Sequence, residues 1–171
     1  MKSFNWFIEK KLLLKDWTAG RLSPAYLKKA RNNLVTMELL SKAPKFKKLL
    51  ELPEDYDPNE WVVIAAYYAM YVAALSILAK LSYRSKNHSA TVIFLEEFLV
   101  KKNLLEKEYL ETLNKVRLKK EEIETLERAR NKREIAQYSV TKETTRQIAE
   151  AIKQDAHRFV DRIEELLEEL K

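Results

Sequence analysis

WVVIAAYYAMYVAALSILA, residues 61–79, is a run of 19 residues without a single charge. Two structures accommodate such a run. One is a membrane span, which needs about 20 apolar residues. The other is a helix apolar all round because it sits at the centre of a bundle. Tyr67, Tyr68 and Tyr71 would place three phenols near a bilayer centre, whereas tyrosine favours the interface. The run also holds six Ala residues, which lower its hydrophobicity. The reading adopted is therefore a central buried helix, covering roughly Asn59–Leu81.

The rest of the chain fits that reading. Of 171 residues, 46% are hydrophobic and 34% charged, a globular balance with enough length for one real core. One Gly and four Pro leave few turn residues, so a few long helices are favoured over many short strands. Periodicity predicts further helices over roughly Phe4–Lys15, Pro24–Lys42, Ser89–Lys101, Leu105–Gln137 and Lys142–Leu170. Ser23 and Thr141 read as N-caps. The expected fold is all-α, an up-and-down helical bundle of about five to six helices. Its expected organisation is an N-terminal helical extension, 1–22, followed by a bundle domain, 23–171.

Charge is uneven. Residues 1–50 carry 12 Lys/Arg against 3 Asp/Glu, whereas ELPEDYDPNE (51–60) carries 5 acids and no base. A basic third suits nucleic acid or an anionic surface; the plain alternative is a well-solvated helix pair beside an acidic linker. Glu9, Lys10 and Lys11 interrupt what a signal peptide would need as an apolar run, so an intracellular, cytoplasmic setting is expected. Much Lys and Glu without Cys suits a thermophile.

The absence of Cys excludes disulfides, thiolate metal sites and Cys nucleophiles. One Gly excludes a glycine-rich phosphate loop. His88 and His157, the only histidines, fall on different helices, so no metal and no cofactor are expected.

Two regions form a pattern: YYAMYVAALSILAKLSYRSKNHSA, Tyr67–Ala90, and RARNKREIAQYSV, Arg128–Val140, followed by an amphipathic last helix. Asn87–His88, then Arg133-Glu-Ile-Ala136-Gln137-Tyr138, then Ala156-His-Arg-Phe159-Val160, in that order, resemble the HEPN family, above all its small stand-alone archaeal and bacterial members. SPAYLKKARNNL, Ser23–Leu34, looks like that family's first core helix. The likeness covers roughly residues 23–165.

The resemblance implies a helical bundle, a homodimer, and an association with RNA or nucleotides. Many members are ribonucleases, including toxins controlled by a minimal nucleotidyltransferase partner. Their signature is an Arg, a polar residue, and a His after four to six intervening residues. Arg130-Asn131 begins such a pattern here, but the sixth intervening residue leads to Gln137. RNA cleavage by 2′-OH attack needs a proton acceptor and a proton donor, and imidazole suits both near neutral pH. Gln does not. Tyr138, with a reference pKa of about 10, is a poor acid. The expected catalytic residues are thus Arg133 and Tyr138, and the expected phosphate-binding residues Arg130, Asn131, Gln137 and His88. Arg130, Arg133 and Gln137 share one helical face at i, i+3, i+7, and arginine binds phosphate bidentately.

The alternatives are plainer. The arginines serve as a solvated face paired with Glu124, Glu127 and Glu134. His88 serves as a cap opening the fourth helix, and the three tyrosines serve as core. A non-catalytic interaction module, homodimeric or partnered through the last two helices, is the rival function. No membrane association is expected.

Overall fold

The computed structural model describes residues 3–131 and 145–170, and for residues 126–131 it describes the backbone alone. Within these residues the chain forms six helices and a two-stranded ribbon, and about three quarters of it is helical. In order these are α1 (Phe4–Glu9), β1 (Leu13–Lys15), α2 (Ser23–Lys42), α3 (Asn59–Lys80), β2 (Tyr83–Ser85), α4 (His88–Leu95), α5 (Lys107–Asn131) and α6 (Arg146–Glu169). Short 3₁₀ turns precede and follow α2, and a π-helical turn, Glu96–Val100, ends α4.

α3 is the axis of the up-and-down bundle, packing against α2, α5 and α6. Thirteen of its 22 residues are buried. Ala66, Ala69, Ala73 and Ala74 are fully buried; small side chains at helix contacts let the axes approach. α3 is long and apolar enough to cross a bilayer, but 72% of its most apolar window is buried inside the protein. Its apolar surface is used in the core.

α6 is amphipathic in the expected way. Ala149, Ile152, Ala156, Phe159, Val160, Ile163 and Leu166 are buried along one stripe, while Ile148 lies outside it, 39% exposed. Its many C-terminal acids oppose the helix dipole, yet most have partners. Arg31 on α2 pairs with Asp161 at 2.5 Å and with Glu164. Arg162 reaches Glu165 and Glu169, each at 3.4 Å, and Glu106 at 3.3 Å, while its Nη2 donates to the Leu104 carbonyl at 2.9 Å. These contacts tie α6 to α2 and to the turn before α5. They also neutralise part of the basic N-terminal third.

Two local expectations need correction. The first helix stops at Glu9 instead of running to Lys15. Lys11 takes a left-handed conformation (φ 53°), its N–H donates to the Ile8 carbonyl, and the Leu12 N–H donates to the Phe7 carbonyl. That pair of hydrogen bonds closes the helix end as a Schellman turn. The chain then extends, and Leu13, Leu14 and Lys15 pair antiparallel with Ser85, Arg84 and Tyr83. Leu13 is completely buried.

Ser23 is not an N-cap. The 3₁₀ turn Ala19–Leu22 leads into α2 with Leu22 already in helical conformation, and Ser23 is buried as the first residue of α2. α6 is capped by Thr145, whose hydroxyl accepts from the Ile148 N–H at 3.3 Å; Thr141 lies outside the described residues.

Candidate functional site

The turn between β2 and α4 is firmly held. Asn87 caps α4 by accepting from the Ala90 N–H at 2.9 Å. The hydroxyls of Ser85 and Thr91 meet at 2.6 Å. Capping therefore falls to Asn87, and His88, expected as the cap, is freed to turn inward as the first residue of α4.

His88 packs between α3 and α5. Its ring lies 5.8 Å from that of Tyr67 and 5.6 Å from that of Tyr71, and those two phenols stack on each other at 5.8 Å with planes 7° apart. The Tyr67 hydroxyl is 3.2 Å from His88 Nδ1. Burial pushes the Tyr67 phenol far above its usual pKa, aided by Tyr71 and Tyr68, so it stays protonated. Burial pushes the His88 imidazole down to about 4, with the Arg117 guanidinium adding repulsion and Lys120 a little more. The ring is neutral at pH 7. A phenol donates to an imidazole lone pair, so we assign the ring proton to Nε2.

α5 supplies the other wall. Asn114, Arg117 and Glu121 stand at i, i+3 and i+7, on one face of the helix. Arg117 Nη1 is held by Glu121 at 3.0 Å. Lys120 bonds Glu124 at 2.6 Å and lies over the rings of Tyr67 and Tyr68 at 5.3 and 5.5 Å. Two nitrogens in this cluster, His88 Nε2 and Arg117 Nε, are buried and have no hydrogen-bond partner among the described residues. The Asn114 side chain, hydrogen-bonding the ring, works the other way and favours its protonation.

The cluster opens on a cleft of about 450 Å³. Its lining mixes polar Asn87, His88, Ser89, Asn114 and Arg117 with apolar Trp6, Phe7 and Leu12 of the N-terminal segment and Val92 and Ile93 of α4. Trp6 and Phe7 meet edge to face at 5.0 Å.

The HEPN domain family matches residues 36–166. The chain belongs to the HEPN domain family. No curated protein and no solved structure matches it. The match starts inside α2, so α1 and β1 precede it. This HEPN bundle thus carries His88, Asn114 and Arg117 within the matched region and Trp6, Phe7 and Leu12 before it.

Of the residues that sequence reasoning singled out, only His88 has a described side chain. Arg130 and Asn131 close the described backbone of α5, and Arg133, Gln137 and Tyr138 lie outside the described residues. Along the α5 axis, Arg130 stands about 20 Å beyond Arg117, at 1.5 Å per residue. His88 therefore lies beside the first half of α5, well before Arg130. Among the described residues no group of His, Asp and Glu is placed to hold a metal.

Sequence reasoning missed Asn114 and Arg117. No local signal marked them, because at i and i+3 with Glu121 at i+7 they look like an ordinary solvated helix face. Of Tyr67, Tyr68 and Tyr71, all expected in the core, Tyr67 is buried, 7% exposed, and Tyr68 needs correction. Tyr68 is 41% exposed and belongs to the surface.

Proposed function

We propose that this HEPN chain binds the phosphates of RNA or of a nucleotide through the sequence segment Arg130–Tyr138, with Arg130, Asn131, Arg133 and Gln137 as phosphate contacts. The observation that carries this reading is the family match over residues 36–166, which spans the whole segment. Arginine forks suit phosphate oxygens. Gln137 stands where the family's ribonucleases carry histidine, so the reading is binding first, with cleavage weak or lost. A toxin-type ribonuclease restrained by a minimal nucleotidyltransferase is the catalytic form of the same reading, with Arg133 and Tyr138 at the reacting phosphate.

The test is RNA binding and RNA cleavage at low salt by the full chain and by Arg133→Ala. The reading expects binding by the wild type, a clear loss in the variant, and slow or no cleavage. Absence of RNA and nucleotide binding by both proteins, or equal binding by both, overturns it.

A second reading, a homodimerisation module, draws on the incomplete cover of α3. Trp61 is 51% exposed and Tyr68 41%, and they line a groove of about 530 Å³ with Tyr26 and Leu40 of α2. Mass measurement in solution tests it: a homodimer dissociated by Trp61→Glu supports it, and a monomer with no partner excludes it.

A further inference from the structure

We infer that the end of the bundle built by the β1–β2 ribbon, the turn Asp16–Leu22 and the last turn of α3 is a docking surface for an anionic lipid bilayer. Trp17 enters the headgroup region, and Lys15, Arg21, Lys80 and Arg84 meet the lipid phosphates. The contact is peripheral and spans nothing. It departs from the expectation of no membrane association, because only the fold brings these residues together. It does not use Arg130–Tyr138 and does not rest on the reading of that segment.

Exposure comes first. Trp17 is 76% exposed, although tryptophan ordinarily buries most of its surface. The turn that carries it is pinned. The Asp16 N–H donates to the Ser82 carbonyl at 2.8 Å, and the Ala19 N–H to the Asp16 carbonyl at 3.0 Å. The Asp16 carboxylate accepts from the Thr18 N–H at 2.9 Å and from the Thr18 hydroxyl at 2.7 Å. Ala19, two residues on, is completely buried. A held turn thus presents the ring to solvent. The membrane interface suits such a ring, with its apolar body and single N–H at headgroup depth.

Charge surrounds the ring. Residues 10–22 and 80–87 carry seven Lys/Arg against one acid, Asp16. The fold joins the two stretches: Lys15 pairs with Tyr83 and Leu14 with Arg84 in the ribbon, and a Cβ on Gly20 would stand 3.8 Å from the Ala79 carbonyl, next to Lys80. The Lys15 ammonium sits 4.0 Å from the Trp17 ring centroid. The single acid is already engaged. Arg84 Nε bonds it at 2.7 Å, and the Thr18 hydrogen bonds, then Arg84 and Arg21, hold its carboxyl below the usual pKa. Lys15, Arg21 and Lys80 are exposed and make no ion pair among the described residues. Lys and Arg clustered beside an interfacial aromatic are what anionic headgroups attract.

Shape separates a bilayer from a strand of RNA. Single strands are bound in grooves along which successive bases stack on several rings. Trp17 has no ring neighbour among the described residues, and one of its faces is already under the Lys15 ammonium. It lines neither the α1–α4–α5 cleft nor the α2–α3 groove. One exposed ring among cations suits a flat, laterally fluid surface, which needs no complementary shape. Trp17 and Arg21 also precede the HEPN match, which starts at residue 36, so the surface is not a property of the matched bundle alone.

The test is co-sedimentation of the full chain with vesicles of phosphatidylcholine alone and of phosphatidylcholine with a third phosphatidylglycerol. It is run at low salt and at about 0.5 M salt, where charge attraction is screened. Binding is expected on the anionic vesicles at low salt, with little on neutral vesicles and a clear loss at high salt. Trp17→Ala, and separately Arg21→Gln combined with Lys80→Gln, are each expected to weaken it about tenfold. Trp61→Ala and Arg133→Ala are expected to leave it unchanged, so this surface and the phosphate-binding segment fail separately. Broadening of the Trp17 indole N–H signal by nitroxide-labelled anionic lipid in the wild type provides a readout that needs no variant. The inference is overturned if anionic vesicles bind no better than neutral ones, if Trp17→Ala binds like the wild type, or if the Trp17 signal is untouched by labelled lipid. It is equally overturned if the wild type ignores vesicles while Trp17→Ala loses affinity for RNA, which would assign the surface to nucleic acid.

Discussion

The Tyr67 hydroxyl lies 3.2 Å from Nδ1 of His88, and with the phenol as donor the ring proton sits on Nε2. The tyrosine comes from the buried face of the central helix and the histidine from the first position of α4. The pair therefore couples the core to the cleft.

His88 makes stability depend on pH. Its ring is depressed to about 4, from an ordinary value of 6.5, chiefly by burial. The fold favours the neutral ring, so the stabilisation is fully present above pH 6.5 and is lost as pH falls towards 4. Over that window the unfolded chain binds the extra proton, and the slope from this one group is at most about 1.4 kcal/mol per pH unit. Urea unfolding between pH 7 and 4 should show a steeper decline for the wild type than for His88→Gln. Parallel profiles would remove His88 from the account.

Tyr67→Phe deletes the hydroxyl and leaves Nδ1 without its donor. The expected loss of stability is about 1 kcal/mol, the net value of a typical hydrogen bond. Nitrogen-15 spectra should show the wild-type ring as the Nε2–H tautomer at pH 7 and a shift towards mixed tautomers in the variant. An unchanged spectrum would contradict the assigned proton position.

Leu13 is the buried residue of β1, with no exposed surface. Leu13→Ala should cost about 3 kcal/mol, within the range for fully buried leucines. Leu49→Ala, at a residue 79% exposed, should change stability by no more than about 0.5 kcal/mol. Denaturant midpoints measure both. A Leu13 variant as stable as the Leu49 variant would mean that the N-terminal segment is not part of the folding unit.

The long helices were legible because their patterns are redundant. Nineteen uncharged residues identify α3 almost by themselves, and the stripe from Ala156 to Leu166 repeats the helical period often enough to fix a face. The ribbon was not legible. Leu12, Leu13 and Leu14 continue an apolar run that fits a helix or a strand, and short apolar runs are ambiguous. What decides is pairing with Tyr83–Ser85, far along the chain. The Ser23 cap failed for a related reason: Ser23 has the right chemistry, but the 3₁₀ turn before it removes the extended residue a cap requires.

The two candidate sites differ in legibility. Arg130–Tyr138 stood out through likeness to a family signature, and its missing histidine is visible in the letters alone. The cleft did not stand out, because Asn114 and Arg117 look like ordinary solvated helix positions. Only packing shows that α4 and α1 close over them. No local pattern joins Trp6 to Arg117, which lie on different elements and meet through the fold.

The central claim is that the segment Arg130–Tyr138 engages phosphate. It is tested most directly by the salt dependence of single-stranded RNA binding, wild type against a chain carrying both Arg130→Ala and Arg133→Ala. Each lost phosphate contact should lower the magnitude of the log–log slope by about 0.7, so the double variant should bind more weakly with a slope shallower by about 1.4. Equal affinity and equal slope for the two proteins would contradict the account.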